Sequence, residues 1–288
     1  MLVRLSHGHI RFGSFQRLAA LEEDDHLAEL VDYALRLYPG PPPPDDAPGR
    51  DDAAVILLHQ VVTRMADLAA SYMVAGFVHG VLNTDNMNIS GESFDYGPWR
   101  WLPEWDSSFT AAYFDHAGLY AFGRQPEAIR WNLMQLAIAL RRLADSAPLI
   151  SALERFPDAY NAAMARRFCW RLGLASRGVD TDFALIAAAE RAMKAGGIGP
   201  DAFFFAHRGR RGTDGDLATA LSGYEPVGDD HPLWSDTPPS LLIEEVEALW
   251  ASIAEHDDWQ PLEAKIAAIR ALGDALGEPP APVGHLPV

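Results

Sequence analysis

From Asp51 or Asp52 to about Ala75 the chain carries an apolar stripe, Val55, Leu58, Val62, Met65, Ala69 and Tyr72, at the spacing of one helix face. A helix of that length and apolarity must run through the core, so whatever follows it is held against the core at a set place. Gly76 stops it, and the chain then enters His79-Gly80-Val81-Leu82-Asn83-Thr84-Asp85-Asn86. Asp95 comes nine residues after Asn86, beyond a short apolar segment, Met87 to Phe94, expected as a strand or hairpin. Two acids and an amide fall in one tight loop-strand unit. That donor set suits a magnesium–nucleotide site, because Mg²⁺ takes oxygen ligands, commonly one or two carboxylates plus substrate phosphates.

Composition narrows the classes. The 288 residues are 49% hydrophobic, enough for a sizeable core in one large or two modest domains. A net charge of -17 opposes nucleic-acid binding, which rests on clustered cations. The single cysteine, Cys169, excludes an internal disulfide framework and a cysteine-rich zinc site. There is no unbroken apolar run of about 18 residues and no basic-then-apolar start, so a soluble cytoplasmic protein without membrane partners is expected. Only Lys194 and Lys265 are lysines.

Along the chain, Leu2 to Phe15 reads as short strands or an extended loop carrying Arg4 and Arg11. Asp24 or Asp25 caps a helix through Tyr38, and residues 39–50 form a proline-rich surface loop. Pro126 opens a helix to about Leu143. Further helices are expected at Asp158–Leu174, Thr181–Ala195, Asp214–Leu221, Pro239–Glu255 and Pro261–Leu276, with a disordered tail over 277–288. The expected fold class is mainly α with a few short strands.

His79 and Asn86 keep the separation of a kinase-type catalytic loop, H-x-D-x-x-x-x-N, but the usual Asp position is Val81 and the loop's acid is Asp85. With Met87 and Asp95-Tyr96-Gly97-Pro98, this run resembles the signature of the selenoprotein O family, kinase-fold enzymes that transfer AMP to proteins. Two more stretches carry the resemblance. One is the segment with Arg4, His9, Arg11, Phe12, Gly13 and Phe15, its arginines seven apart; the other runs through Asp115, Gly118, Tyr120, Gln125, Pro126, Trp131, Asn132 and Leu133. It spans the first half of the chain and extends by colinearity towards Leu221.

The resemblance implies a protein-kinase-like C-terminal lobe over residues 1–276, with 1–15 as a remnant arginine segment. It implies that Asp85 accepts the proton of the attacking hydroxyl, that Asn86 and Asp95 hold Mg²⁺ or Mn²⁺, and that Arg4 and Arg11, with Asp95 through the metal, bind ATP. Protein Ser, Thr or Tyr hydroxyls would be the acceptors. General chemistry agrees: AMP transfer needs positive charge on the α-phosphate oxygens, and a planar guanidinium suits phosphate. A carboxylate beside a metal-bound amide can orient a hydroxyl.

Departures are equally plain. The family's glycine-rich loop, strand lysine and helix glutamate would precede Arg4, and no counterpart appears. The family's Gly-Arg-Tyr stands as Gly118-Leu119-Tyr120. The expectation is therefore a C-lobe that works as a fragment or with a separately encoded N-lobe chain. The alternative is an inactive pseudoenzyme or interaction module.

Ordinary roles are expected elsewhere. Asp85 taken alone would be an Asx-turn or helix-cap residue. His79 orients the loop through a backbone hydrogen bond. His7, His9 and His116 lack metal-ligand spacing. Arg208, Arg210 and Arg211 form a solvated basic loop. Trp99, Trp101 and Trp105 pack, and Cys169 is a buried small hydrophobe.

Overall fold

The computed structural model describes residues 6–211, 215–227, 231–235 and 237–280. Arg4, Asp214 and the tail from residue 281 lie outside them.

The expected central helix is α3, Ala53–Ala75. Asp52 caps it, its Oδ1 accepting from the N–H groups of Ala54 (2.8 Å) and Val55 (3.3 Å). Gly76 ends it in the left-handed conformation, φ 70°, where a Cβ would meet the Pro200 ring. Among the described residues α3 alone has the length and hydropathy of a membrane span, yet 78% of that window is buried inside the chain. It is a core helix.

Two apolar clusters share α3. Val55 through Tyr72 pack with α1 (Phe12–Ala20), α2 (Asp24–Leu37), α4 (Gln125–Leu140) and α5 (Ser146–Glu154). Its C-terminal end, Ala70, Met73 and Val74, packs with α6 (Phe156–Leu172), α7 (Val179–Gly196), α8 (Pro200–His207) and α9 (Gly215–Leu221). The last helices, α10 (Ile243–His256) and α11 (Gln260–Leu276), contain no fully buried residue. The sheet is small: β1 (Phe77–Val78) pairs antiparallel with β2 (Arg100–Trp101), Phe77 opposite Trp101. The described chain is mainly helical, as expected.

Several local expectations need correction. The N-terminal segment is extended only to Arg11; Phe12 and Phe15, a helical turn apart and both wholly buried, draw the following residues into α1. Neither Asp24 nor Asp25 caps α2: the cap position is Glu23, and Asp24 pairs with Arg142 (Oδ2 to Nη2 2.9 Å). The 87–94 segment forms no named strand, only two isolated antiparallel bridges, Met87 to Ser93 and Asn88 to Arg11. Helices α5 and α8 lie outside the helices expected from the sequence.

The basic loop is solvated at Arg210 and Arg211, which are exposed, but not at Arg208. Arg208 is 3% exposed, lies 4.1 Å over the Trp234 ring and donates to the carbonyls of Trp170 and Arg171 at the end of α6. Arg210 donates to the carbonyls of Ser222 and Tyr224, and Arg211 to that of Trp234. These arginines tie the chain ends of distant helices together. Cys169 is buried as expected, and burial, with Asp182 nearby, pushes its thiol far above the usual range.

Candidate functional site

The residues after α3 form a loop pinned from two sides. Gly80, at φ 87°, turns the chain where a Cβ would press on Pro98 and Ala111. His79 is wholly buried, and its Nε2–H donates to the carbonyl of Phe94 (2.8 Å) while Nδ1 accepts from the Val81 N–H (3.4 Å). These partners define a neutral tautomer. Burial agrees, holding the ring's pKa below its usual value against opposing contributions from the Phe94 carbonyl and the Asp95 carboxylate. His79 thus ties the start of the loop to residue 94.

From the other side α4 supplies two amides. Gln125, wholly buried, accepts from the His79 N–H (2.9 Å) and donates to the Phe77 carbonyl (2.8 Å). Asn132, also wholly buried, donates to the Leu82 carbonyl (2.7 Å). Both residues stand in the sequence block noted above, but no role for them was legible there. A buried amide at each end of one helical turn pair is the signal that was present.

Within the loop, residues Thr84–Asn86 make a single 3₁₀ turn, and Asn83 caps it by accepting from the N–H groups of Asp85 (3.0 Å) and Asn86 (3.2 Å). Capping is therefore done by Asn83, and the Asp85 carboxylate is not consumed by it. That side chain is 66% exposed and lies 4.0 Å from Arg11 Nη1. It reaches over the first turn of α1, close to Gly13. The positive end of the helix dipole faces the carboxylate there.

Arg11 is brought to this place by a stitched seam: Phe12 N–H donates to the Met87 carbonyl (3.0 Å) and Ile89 N–H to the Ile10 carbonyl (3.1 Å). Asn88, wholly buried, donates to the Gly8 carbonyl (2.6 Å). Asn86 donates through Nδ2 to the Val81 carbonyl (2.8 Å), which leaves its Oδ1 without a hydrogen bond among the described residues. Asp95 is exposed, adopts φ 55° and makes itself felt at His79. A left-handed aspartate is uncommon outside turns and functional sites.

The structure thus gathers Arg11 and Asp85 in direct range and places Asn86 in the same turn. Asp95 is linked to them through His79 and Phe94. Arg4 falls outside the described residues. Among these there is no group of three or more His, Cys, Asp or Glu side chains fit to hold a metal alone. The available donors, Asn86 Oδ1 and the Asp95 carboxylate, are oxygens and suit a hard cation that takes its remaining ligands from phosphate and water. Beside the loop runs a groove of about 400 Å³ lined by Leu82, Leu119, Tyr120, Arg124 and Trp131.

The chain's sequence is similar to those of known proteins. Residues 1–220 match the family model described as protein adenylyltransferase SelO. The protein nucleotidyltransferase YdiU of Synechocystis sp. is 32% identical over 308 residues, covering 94% of this chain and 63% of the relative. That of Gloeobacter violaceus is 33% identical over 300 residues, with 94% and 60% covered. In Hahella chejuensis the identity rises to 42% over a shorter stretch of 180 residues. The chain spans about three fifths of the length of the first two relatives.

Proposed function

The chain belongs to the SelO family of protein adenylyltransferases, and on that premise we propose that its loop site transfers AMP from ATP to a Ser, Thr or Tyr hydroxyl of a protein on a kinase-like scaffold. The observation that carries the reading is the Asp85 carboxylate: exposed, relieved of capping by Asn83, and set beside Arg11 at the mouth of α1.

Asp85 takes the proton of the acceptor hydroxyl as its oxygen bonds to the α-phosphorus. The bond from that phosphorus to the bridging oxygen breaks, and pyrophosphate leaves. Arg11 holds phosphate oxygens with its planar guanidinium and so exchanges its contact with Asp85 for one with ATP. Asn86, through Oδ1, and Asp95 would hold Mg²⁺. When bound, the metal supplies positive charge to the oxygens around the reacting phosphorus. His79 keeps the Asp95 segment in register with the loop through the Phe94 carbonyl. The groove between Leu82 and Trp131 receives the protein that bears the hydroxyl.

One observation favours a second reading, a binding module without catalysis. Neither lysine serves the site: Lys265 Nζ is held by the Ser240 carbonyl (3.1 Å) and Glu245 (3.4 Å), and Lys194 lies on α7 near Asp106.

Calorimetric titration of the chain with ATP and Mg²⁺, with Asp95→Ala as control, tests the proposal. Saturable binding that is lost in the variant supports the metal–nucleotide site, and AMP on the protein substrate, detected by mass spectrometry and lost in Asp85→Asn, supports the transfer. No heat at millimolar ATP sinks the reading of the chain as an enzyme in its own right.

A further inference from the structure

The turn that carries Asp85 and Asn86 is fastened on either side of itself. Residues 83–86 make no hydrogen bond to another element among the described residues, and Arg11 stands 4.0 Å from Asp85. Downstream the chain is held at Met87, whose carbonyl accepts from the Phe12 N–H (3.0 Å). Upstream it is held at Leu82, whose carbonyl accepts from Asn132 Nδ2 (2.7 Å). The turn is thus strung between α1 and one side-chain amide of α4.

Stability alone does not favour asparagine at position 132. The residue is wholly buried on a helix whose Ile129, Leu133 and Leu136 are wholly buried too. Its Nδ2 faces two carbonyls, that of Leu82 and, one turn back in its own helix, that of Ala128 (2.8 Å), which decides the orientation of the amide. Oδ1 is sealed from water and has no donor among the described residues. A buried acceptor without a donor costs stability, and an apolar side chain of similar size would avoid that cost. What asparagine supplies and leucine would not is the bond to the Leu82 carbonyl.

That bond acts on the turn through one peptide. The Leu82 carbonyl belongs to the unit joining Leu82 to Asn83, and Asn83 caps the turn through the N–H groups of Asp85 (3.0 Å) and Asn86 (3.2 Å). The preceding carbonyl, that of Val81, accepts from Asn86 Nδ2 (2.8 Å) and so orients the Asn86 amide. Rotating the 82–83 peptide would move Asn83, and with it the carboxylate and the amide. Gln125, about two turns earlier on the same face of α4, holds the root of the loop at Phe77 and His79 in the same manner.

We propose that Asn132 is a positioning residue: from α4 it fixes the peptide leading into Asn83 and so sets where Asp85 and Asn86 stand. Its consequence for AMP transfer rests on the functional reading above; the tether itself does not.

The test compares the full chain with Asn132→Leu, which keeps the bulk and removes the donor. Amide hydrogen exchange is followed residue by residue by nuclear magnetic resonance. The Asp85 and Asn86 amides are expected to exchange about tenfold faster in the variant relative to those of α3, as for the loss of one hydrogen bond. A merely structural role would instead accelerate loop and α3 by one common factor, through lost global stability. AMP transfer is expected to fall on the order of a hundredfold, the effect of a misplacement of about 1 Å. The proposal is overturned if the loop amides are unaffected, if loop and α3 accelerate equally, or if transfer is unchanged in a variant whose loop has loosened. If the unaltered chain transfers no AMP, the functional reading fails, while exchange still decides whether Asn132 holds the turn. Circular dichroism checks folding; where Asn132→Leu does not fold, Asn132→Ala decides in its place, and failure of both to fold marks Asn132 as a residue of the fold and overturns the proposal.

Discussion

Asp67 on α3 and Asp85 in the loop beyond it are opposite uses of one side chain. The Asp67 side chain is 13% exposed and accepts from Arg166 and from both Nε and Nη2 of Arg167. Asp85 is 66% exposed and has one guanidinium at 4.0 Å. Asp182 belongs with Asp67: wholly buried, it accepts from the Ser176 hydroxyl, the Arg177 N–H (3.0 Å) and the Tyr224 hydroxyl (2.8 Å). Asp95, exposed, belongs with Asp85. Where water is excluded every carboxylate oxygen is matched with donors, because an unmatched one would cost too much. At the loop the carboxylates are left available, which a site for hydroxyl and metal requires and a structural role does not.

This contrast can be broken by mutation, with unfolding free energy as the common scale. Asp67→Ala strands two guanidiniums that are mostly buried, and a loss of about 3–5 kcal/mol is expected in urea unfolding. A loss under about 1 kcal/mol would erase the distinction drawn between the two groups. Gly76→Ala forces a Cβ into a left-handed turn and against Pro200, and a smaller loss, about 1–2 kcal/mol, is expected from the same measurement.

His79 sharpens the comparison through pH. Burial lowers its folded-state pKa, so the unfolded chain takes up a proton first as the solution is acidified. Its contribution to stability is whole above an unfolded pKa of about 6.5 and is lost as the pH falls below that value towards the folded pKa. Nuclear magnetic resonance of the ring should give a midpoint below about 6.5; a midpoint above it would contradict the assignment of His79 as a neutral strut. His59 shifts the same way, also by burial, so stability in acid reports on both rings.

The smallest expected effect belongs to Asp85→Asn. Stability should move by no more than about 0.5 kcal/mol, as for an exposed side chain. AMP transfer, by contrast, should fall by about 10²–10⁴-fold, the usual contribution of a general base. A variant that loses stability but transfers AMP normally would place Asp85 with the structural carboxylates after all.

What was legible in the chain depended on how far apart the partners lie. Helix α3 was legible to within two residues because its cap, stripe and glycine stop are all local. The loop motif was legible because its asparagines and aspartates sit within one turn and one short return segment. The burial of Arg208 was not legible because the carbonyls it serves, at 170 and 171, lie 38 and 37 residues away. Gln125 and Asn132 escaped for the same reason: their partners lie 46 to 50 residues away.

By itself the sequence determined the helical class, the central helix and the identity of the loop, since propensity, capping and spacing act over one or two turns. The tertiary structure decided which polar groups are tied up and which remain free. Asn83 caps in place of Asp85, that carboxylate lies over the first turn of α1, and the seam at residues 87–89 carries Arg11 to it. Those outcomes follow from hydrogen-bond geometry and desolvation, which depend on what surrounds each atom in space and are not encoded in any local run of residues.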